Sequence, residues 1–222
     1  MLATGDELVA PGEPLGPGQL HNSNAATLAA LATQSGAQVL RTGVVADTEA
    51  QTREAIAAAL QDADVLVLSG GVSVGPHDHV KPALQALGVH EVFWRVALRP
   101  GRPTWFGTRD DTLVFGLPGN PVSAMVTFHL FARPALLALA GAAEPRTAVE
   151  GIMDEAYGKA PGRTEAVRCA LQARADGWHV RPTGPQGSHV LTSMVGARAL
   201  ALLPAEHGDV AAGERVEIEL LP

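Results

Sequence analysis

Several things are scarce in this sequence, and each shortage closes off a class of function. Among 222 residues there is one cysteine, Cys169. No disulfide can form within the chain, and a single thiol reads as a packing residue rather than a nucleophile. Basic residues are outnumbered, 16 against 23 acidic ones, for a formal charge of -7. General nucleic-acid binding needs a net basic face and is not expected. No apolar run reaches the ~18 residues of a membrane span, and no basic segment precedes an apolar one at Met1. The expectation is a cytoplasmic protein with no membrane partner. No Cys-His pair suggests an activated nucleophile, so the chemistry is expected to be positioning and electrophilic assistance.

What is present is ample apolar material: 46% of residues are hydrophobic, enough for one core or two. "MLATGDEL" reads as the end of a strand entering a functional loop, an abrupt start that predicts a fragment or a truncated protein. "HNSNAATLAALATQSGAQ" reads as a helix capped by Asn22, Ser23 or Asn24 and closed by Gly36. "QVLRTGVV" predicts a strand, and "DTEAQTREAIAAALQDAD" a helix with Asp47 or Thr48 as cap and Glu49 in its first turn. Val65 to Leu68 are unbroken by polar residues, as in a strand buried on both faces. Asp78 stands where the next helix begins, with Pro82 near its first turn. "EVFWRVAL" predicts one strand, and "PTWFGTRDDTLVFGLPGN" two strands about an Arg-Asp-Asp turn. "NPVSAMVTFHLFARPALLALAG" predicts a long apolar helix capped by Asn120, with Pro121 at its first position.

Strands alternating with helices at this spacing predict an α/β fold with a doubly wound, mostly parallel sheet. After "GAAEPRT" the pattern becomes short alternating segments broken by glycine and proline. The expected division is 1–145 for the α/β domain and 146–222 for a small β-domain.

Four clusters fall where such a sheet would bring loops together: Thr4-Gly5-Asp6-Glu7, Asp47, Ser69-Gly70-Gly71 through Asp78, and Pro118-Gly119-Asn120-Pro121-Val122-Ser123. Singly each has a plain reading: Asp47 and Asp78 as helix caps, the glycine pair as a turn, Asn120 as a cap. Together, at the carboxyl edge of one sheet, they describe a site for phosphate and Mg²⁺. Glycines and helix N-termini supply N–H groups, and carboxylates supply hard oxygen ligands. Arg95, Arg99 and Arg102 form a basic group inside an acidic protein; guanidinium forks match oxyanions, and Pro100 and Pro103 stiffen the loop holding the last two. His77 and His79 flank Asp78, but no cysteine or third histidine stands nearby to complete a zinc set.

"TGDEL", "SGGVSVG" with Asp78 after it, "RPGRP" and "GLPGNPVSA", in this order, resemble the molybdopterin molybdenumtransferase family, which includes MoeA and the gephyrin E domain. The resemblance spans essentially the whole chain. It implies a domain of molybdopterin-adenylyltransferase-like fold followed by a small β-barrel, and Mg²⁺-dependent insertion of molybdate into adenylylated molybdopterin. By it, Glu7, Asp47 and Asp78 match acidic site positions, with Asp78 and Asp47 as Mg²⁺ ligands. Thr4, Asp6, Ser69, Gly70, Gly71 and Ser73 line the phosphate or pterin pocket with Pro118, Asn120, Pro121 and Ser123, while Arg99 and Arg102 stand where the family commonly has lysines. Arg163 and Ser193 fall in segments resembling functional ones. The family's further N-terminal half, which forms a dimer and part of the cleft, is not in this sequence. A homodimer, or pairing with a separate N-terminal half, is therefore expected. Two other functions fit the same residues: a molybdopterin adenylyltransferase-like step, or a non-catalytic molybdopterin-binding or scaffolding module.

Overall fold

In the computed structural model, residues 1–72, 78–142 and 148–222 are described. Ser73 and His77, both singled out above, lie outside them, as does the expected domain boundary. The described chain divides into two units, residues 1–96 with 103–142, and residues 97–102 with 143–222.

The elements run β1 (Leu2–Thr4), β2 (Leu8–Val9), β3 (Leu20–His21), α1 (Ser23–Gln34), β4 (Gly43–Val45), α2 (Glu49–Ala59), β5 (Val65–Ser69), α3 (Val80–Ala86), β6 (His90–Trp94), β7 (Leu98–Arg99), β8 (Trp105–Arg109), β9 (Thr112–Leu117), α4 (Pro121–Thr127) and α5 (Arg133–Leu139). Among the described residues the first unit holds a six-stranded sheet in the order β4-β1-β5-β9-β8-β6. The first four strands are parallel, and β8 is antiparallel to both its neighbours. Alternation along β5 explains the double winding. Leu66 and Leu68 pack with Ile56 of α2 and Leu84 of α3, while Val67 faces the opposite core with Leu28 of α1 and Phe128.

Two helix caps fall on residues the sequence offered, and one strand expectation changes. Asn22 caps α1, its Oδ1 accepting from the Ala25 amide at 3.0 Å. Thr48 caps α2, which frees Asp47 from that duty. The expected single strand "EVFWRVAL" breaks at Arg95, whose φ is +68°. Trp94 ends β6 in the first sheet, and Leu98 starts β7 in the second unit.

The helix from Pro121 to Leu139 is long and apolar enough to cross a membrane by length and composition, contrary to the sequence expectation. Its Val122, Ala124, Val126, Phe128 and Ala132 are buried, and Ala124, Phe128 and Ala132 belong to the core formed with the sheet. Between α4 and α5 the residues Phe128–Ala132 form a π-turn. Pro134 lacks the amide that an α-turn needs at that point, and the wider turn accommodates the missing bond.

The second unit continues with β10 (Ala148–Met153), β11 (Thr164–Arg174), β12 (Gly177–Pro182), β13 (Ala199–Leu203) and β14 (Arg215–Leu220). These pair in the order β12-β10-β14-β13-β11, and β11 also pairs with β12, which closes a five-stranded barrel; β7 adds alongside β11. Met153, Val167, Cys169, Val180, Leu203 and Ile218 fill its interior.

Candidate functional site

The parallel strands β4, β1, β5 and β9 are adjacent, and in register Val45 lies beside Thr4, Ala3 beside Ser69, and Ser69 beside Leu117. The loops that follow therefore leave the sheet at one edge. All four candidate clusters sit there: Thr4 to Glu7 after β1, Asp47 after β4, Ser69 to Gly71 after β5, and Pro118 to Ser123 after β9.

Gly70 and Gly71 do work there that no other residue can do. Their φ angles are +90° and +63°, in the left-handed region. A Cβ on Gly70 would lie 2.8 Å from the Thr4 carbonyl oxygen, and one on Gly71 would lie 2.6 Å from Val80 Cγ2 and 2.8 Å from Thr4 Oγ1. The loop after β5 thus packs directly on the end of β1. Thr4 Oγ1, beside the glycine pair, is buried and makes no hydrogen bond among the described residues.

The two glycine-bearing loops are tied together. The Gly70 amide donates to the Leu117 carbonyl at 3.0 Å. Asn24 of α1 donates through Nδ2 to Ser69 Oγ and to the Gly119 carbonyl, each at 2.7 Å. Ser69 Oγ in turn donates to the Pro118 carbonyl at 3.4 Å. Asn120 stands at the N-cap position of α4 without a side-chain capping bond, and Pro121 occupies the first turn. Ser123 is buried there, its carbonyl accepting from Thr127 Oγ1 at 2.7 Å.

Carboxylates gather on the β1 and β4 side. Asp6 Oδ1 accepts from the Asp47 amide at 2.9 Å. Partial burial raises the Asp47 carboxyl above its ordinary value; the charges of Asp6 and Glu7 add to the rise, while a hydrogen bond from the Asp6 backbone and the charge of His79 oppose it. Asp78 precedes α3 and is among the charges felt by Lys81, whose ammonium is lowered chiefly by desolvation. This donor set is all oxygen and suits Mg²⁺ better than zinc. Among the described residues, no three His, Cys, Asp or Glu side chains converge as a metal shell.

Sequence reasoning singled out Arg95 but missed Lys81 and the ring that gathers both next to the glycine loop. The Trp94 indole donates to the Val72 carbonyl at 3.0 Å. Lys81 Nζ lies 3.4 Å from the Trp94 ring centroid and the Arg95 guanidinium carbon 4.1 Å from it, a cation–π arrangement on one ring. The left-handed φ of Arg95 is the backbone signature of this stack, which no pattern of residue types discloses. The run Gly71-Val72-Ser73-Val74-Gly75 also has the spelling of a nucleophile elbow, G-x-S-x-G, which the expectation of non-covalent chemistry passes over; Ser73 itself lies outside the described residues.

Arg99 and Arg102 belong to the second unit. Arg99 lies on β7 beside Glu165 of β11 in register, its guanidinium 3.6 Å from the Glu165 carboxylate. That buried carboxylate also accepts from the Tyr157 hydroxyl at 2.7 Å, and desolvation, then this bond, pushes the Tyr157 phenol well above its usual range. Arg102 is exposed, as is Arg163. Ser193 is buried on a different arginine, Arg168, which sequence reasoning passed over: Arg168 Nε donates to Ser193 Oγ and its guanidinium to the Gly187 carbonyl, both at 3.2 Å. An arginine among the apolar residues of "EAVRCAL" was the available signal. Arg168 is 1% exposed; it alternates along β11 with Val167 and Cys169, which face the barrel interior, so it holds the 187–193 segment against the barrel's outer face.

An α/β unit with glycine and proline loops gathered at the carboxyl edge of its parallel strands, followed in the chain by a closed barrel, places the protein in the class of open α/β sheets whose ligands sit at that edge. Residues 1–138 match the family model of the probable molybdopterin binding domain, and residues 150–221 that of the MoeA C-terminal region (domain IV). The chain belongs to this molybdopterin-binding family of the MoeA type. It is 38% identical over 224 residues to a molybdopterin molybdenumtransferase of Haemophilus influenzae, covering 99% of this chain and 55% of that one. It is 36% identical over 211 residues to the molybdenum cofactor synthesis protein cinnamon of Drosophila melanogaster, covering 94% of this chain and 35% of the relative. A crystal structure of the MoeA protein of Pyrococcus horikosii superposes with a TM-score of 0.82 at 27% identity, over 99% of this chain and 53% of that one. The chain thus spans about half the length of the transferase it matches.

Proposed function

We propose that this chain is the pterin-handling portion of a molybdopterin molybdenumtransferase, acting in molybdenum cofactor biosynthesis to insert molybdate into adenylylated molybdopterin. The observation that carries the reading is the pair of loops, Ser69–Gly71 and Pro118–Asn120, held together at the carboxyl edge of β5 and β9. The names borne by the relatives support it. In this reading the left-handed turn at Gly70 and Gly71 aims peptide N–H groups of their loop at a phosphate, and Ser69 and Asn120 orient the pterin. Thr4, Asp6 and Glu7 complete the wall formed after β1. The Lys81–Trp94–Arg95 stack adds positive charge beside the glycine loop.

Mg²⁺ belongs to the same proposal. Asp47 and Asp78 would hold it, and when bound it would neutralise phosphate charge. The assembly this reading expects is a homodimer, or a complex with the remaining part of a full-length transferase. Calorimetric titration of adenylylated molybdopterin, with and without Mg²⁺, tests the reading on the purified chain and on Asp47→Asn and Asp78→Asn. Micromolar binding that Mg²⁺ tightens in the parent but not in the variants is expected. No binding by the parent chain refutes the pterin assignment, and Mg²⁺ dependence surviving in both variants refutes the metal assignment.

A further inference from the structure

Asn24 combines three features that its place in a helix does not explain. It is the second residue of α1, yet the cap is supplied by Asn22, so its amide is not needed to start the helix. It is buried, and both protons of its Nδ2 are spent on loops far away in sequence, on Ser69 Oγ and on the Gly119 carbonyl at 2.7 Å each. Its Oδ1 is buried with no hydrogen-bond partner among the described residues, a cost that an apolar residue at the same place would avoid. The side chain is kept for its donors.

Those donors act on one quantity, the distance between two loops. Ser69 ends β5, and Gly119 follows β9. The ladder pairs β5 and β9 up to Ser69 and Leu117, and the Gly70 amide extends it by one bond to the Leu117 carbonyl; Pro118 and Gly119 lie beyond it. Asn24 reaches across from a third element and grips one partner in each. The grip extends further, because the Ser69 hydroxyl that accepts from Asn24 donates to the Pro118 carbonyl. Two successive carbonyls of the loop after β9 are thereby held by a chain of bonds that starts at Asn24.

We propose that Asn24 is a positioning residue that sets the separation of the Ser69–Gly71 and Pro118–Asn120 loops, and with it the fit of the phosphate-bearing pterin between them. Its ligand rests on the function proposed above; the loop spacing rests on the hydrogen bonds alone. Asn24 makes no contact with the ligand in this account. Its removal weakens binding by letting the loops drift.

The test compares Asn24→Ala and the near-isosteric Asn24→Asp, which lacks both donors, with Leu28→Ala, a buried change on the same helix that has no polar tie to either loop. Amide hydrogen exchange at Gly70 and titration with molybdopterin are the two readouts, with the thermal midpoint of each variant recorded alongside. Both Asn24 variants are expected to exchange the Gly70 amide at least about tenfold faster and to bind the pterin about tenfold more weakly, the scale of two lost hydrogen bonds. Leu28→Ala should lower the thermal midpoint while leaving both readouts near the parent values. Parent-like exchange at Gly70 in the Asn24 variants, or equal loosening of Gly70 in Leu28→Ala, overturns the proposal. Should Asn24→Ala not fold, Asn24→Asp carries the same comparison. If the parent chain binds no pterin, the proposed function fails, and the exchange comparison still decides the role of Asn24.

Discussion

Gly70 and Gly119 face each other across the two loops, yet alanine should be tolerated at one and not at the other. Gly70 has φ +90°, where an alanine costs about 1–2 kcal/mol in backbone strain alone. Its Cβ would also sit 2.8 Å from the carbonyl oxygen of Thr4. That oxygen belongs to the main chain at the end of β1, so it cannot rotate away, and either the loop or the strand end must move. The total is about 3 kcal/mol, of the size seen when a special backbone position is violated. A Cβ on Gly119 would meet only Gly70 Cα, at 3.7 Å, an ordinary contact costing under about 1 kcal/mol. At roughly 2–4 °C per kcal/mol for a chain of this size, Gly70→Ala should lower the melting temperature by about 6–12 °C and Gly119→Ala by less than about 4 °C. Scanning calorimetry separates these values, and the same samples can be titrated with the pterin. Equal melting temperatures for the two variants would refute the claim that the glycine loop packs on β1.

Three further outcomes are expected. Burial inside the barrel pushes the Cys169 thiol up to about 12, so a disulfide reagent should leave it unmodified in the folded protein and label it fully in denaturant; labelling without denaturant contradicts the packing. Desolvation, helped by Arg133, holds His129 down at about 4. A folded value below the unfolded one of about 6.5 means that the unfolded chain takes up the proton first, so stability should fall by up to about 3 kcal/mol as pH drops from about 6.5 to about 4. His179 of the barrel behaves oppositely: the Asp154 carboxylate, aided by Asp176, raises it, so its contribution is fully present below about 6.5 and is lost as pH rises through the raised value. Melting curves of the two units against pH should therefore diverge in this window, and parallel curves would contradict both assignments. Arg168→Ala should cost about 3 kcal/mol or more, since it opens a cavity and removes the hydrogen bonds to Ser193 Oγ and the Gly187 carbonyl; an unchanged barrel melting temperature would show that the 187–193 segment is held by something else.

The parts of the fold that were legible in the sequence are those governed by local chemistry. Val65 to Leu68 announce a strand covered on both faces, and they line two opposite cores. Arg109 to Thr112 turn the chain between β8 and β9 where the Arg-Asp-Asp signal places a turn. "EVFWRVAL" was illegible in the part that mattered, because its residue types all favour a strand and only the tertiary course of the chain breaks it at Arg95. The same limit hid Asn24, which as a residue type in "HNSNAAT" is indistinguishable from a cap. Its role appears only when β5 and β9 bring Ser69 and Gly119, 45 and 95 positions away, against it. Asp47 was correctly brought to the sheet edge beside Asp6, since a short loop after a parallel strand has nowhere else to go. The cation stack on Trp94 needed the packing of α3 against β6 to be seen.

The most direct measurement is amide hydrogen exchange across the whole chain, with and without adenylylated molybdopterin in the presence of Mg²⁺. The account predicts added protection concentrated at residues 69–72 and at 119, 120 and 122–123, the amides of the two loops that Asn24 ties together. Protection confined to other segments, or none at saturating ligand, would contradict it.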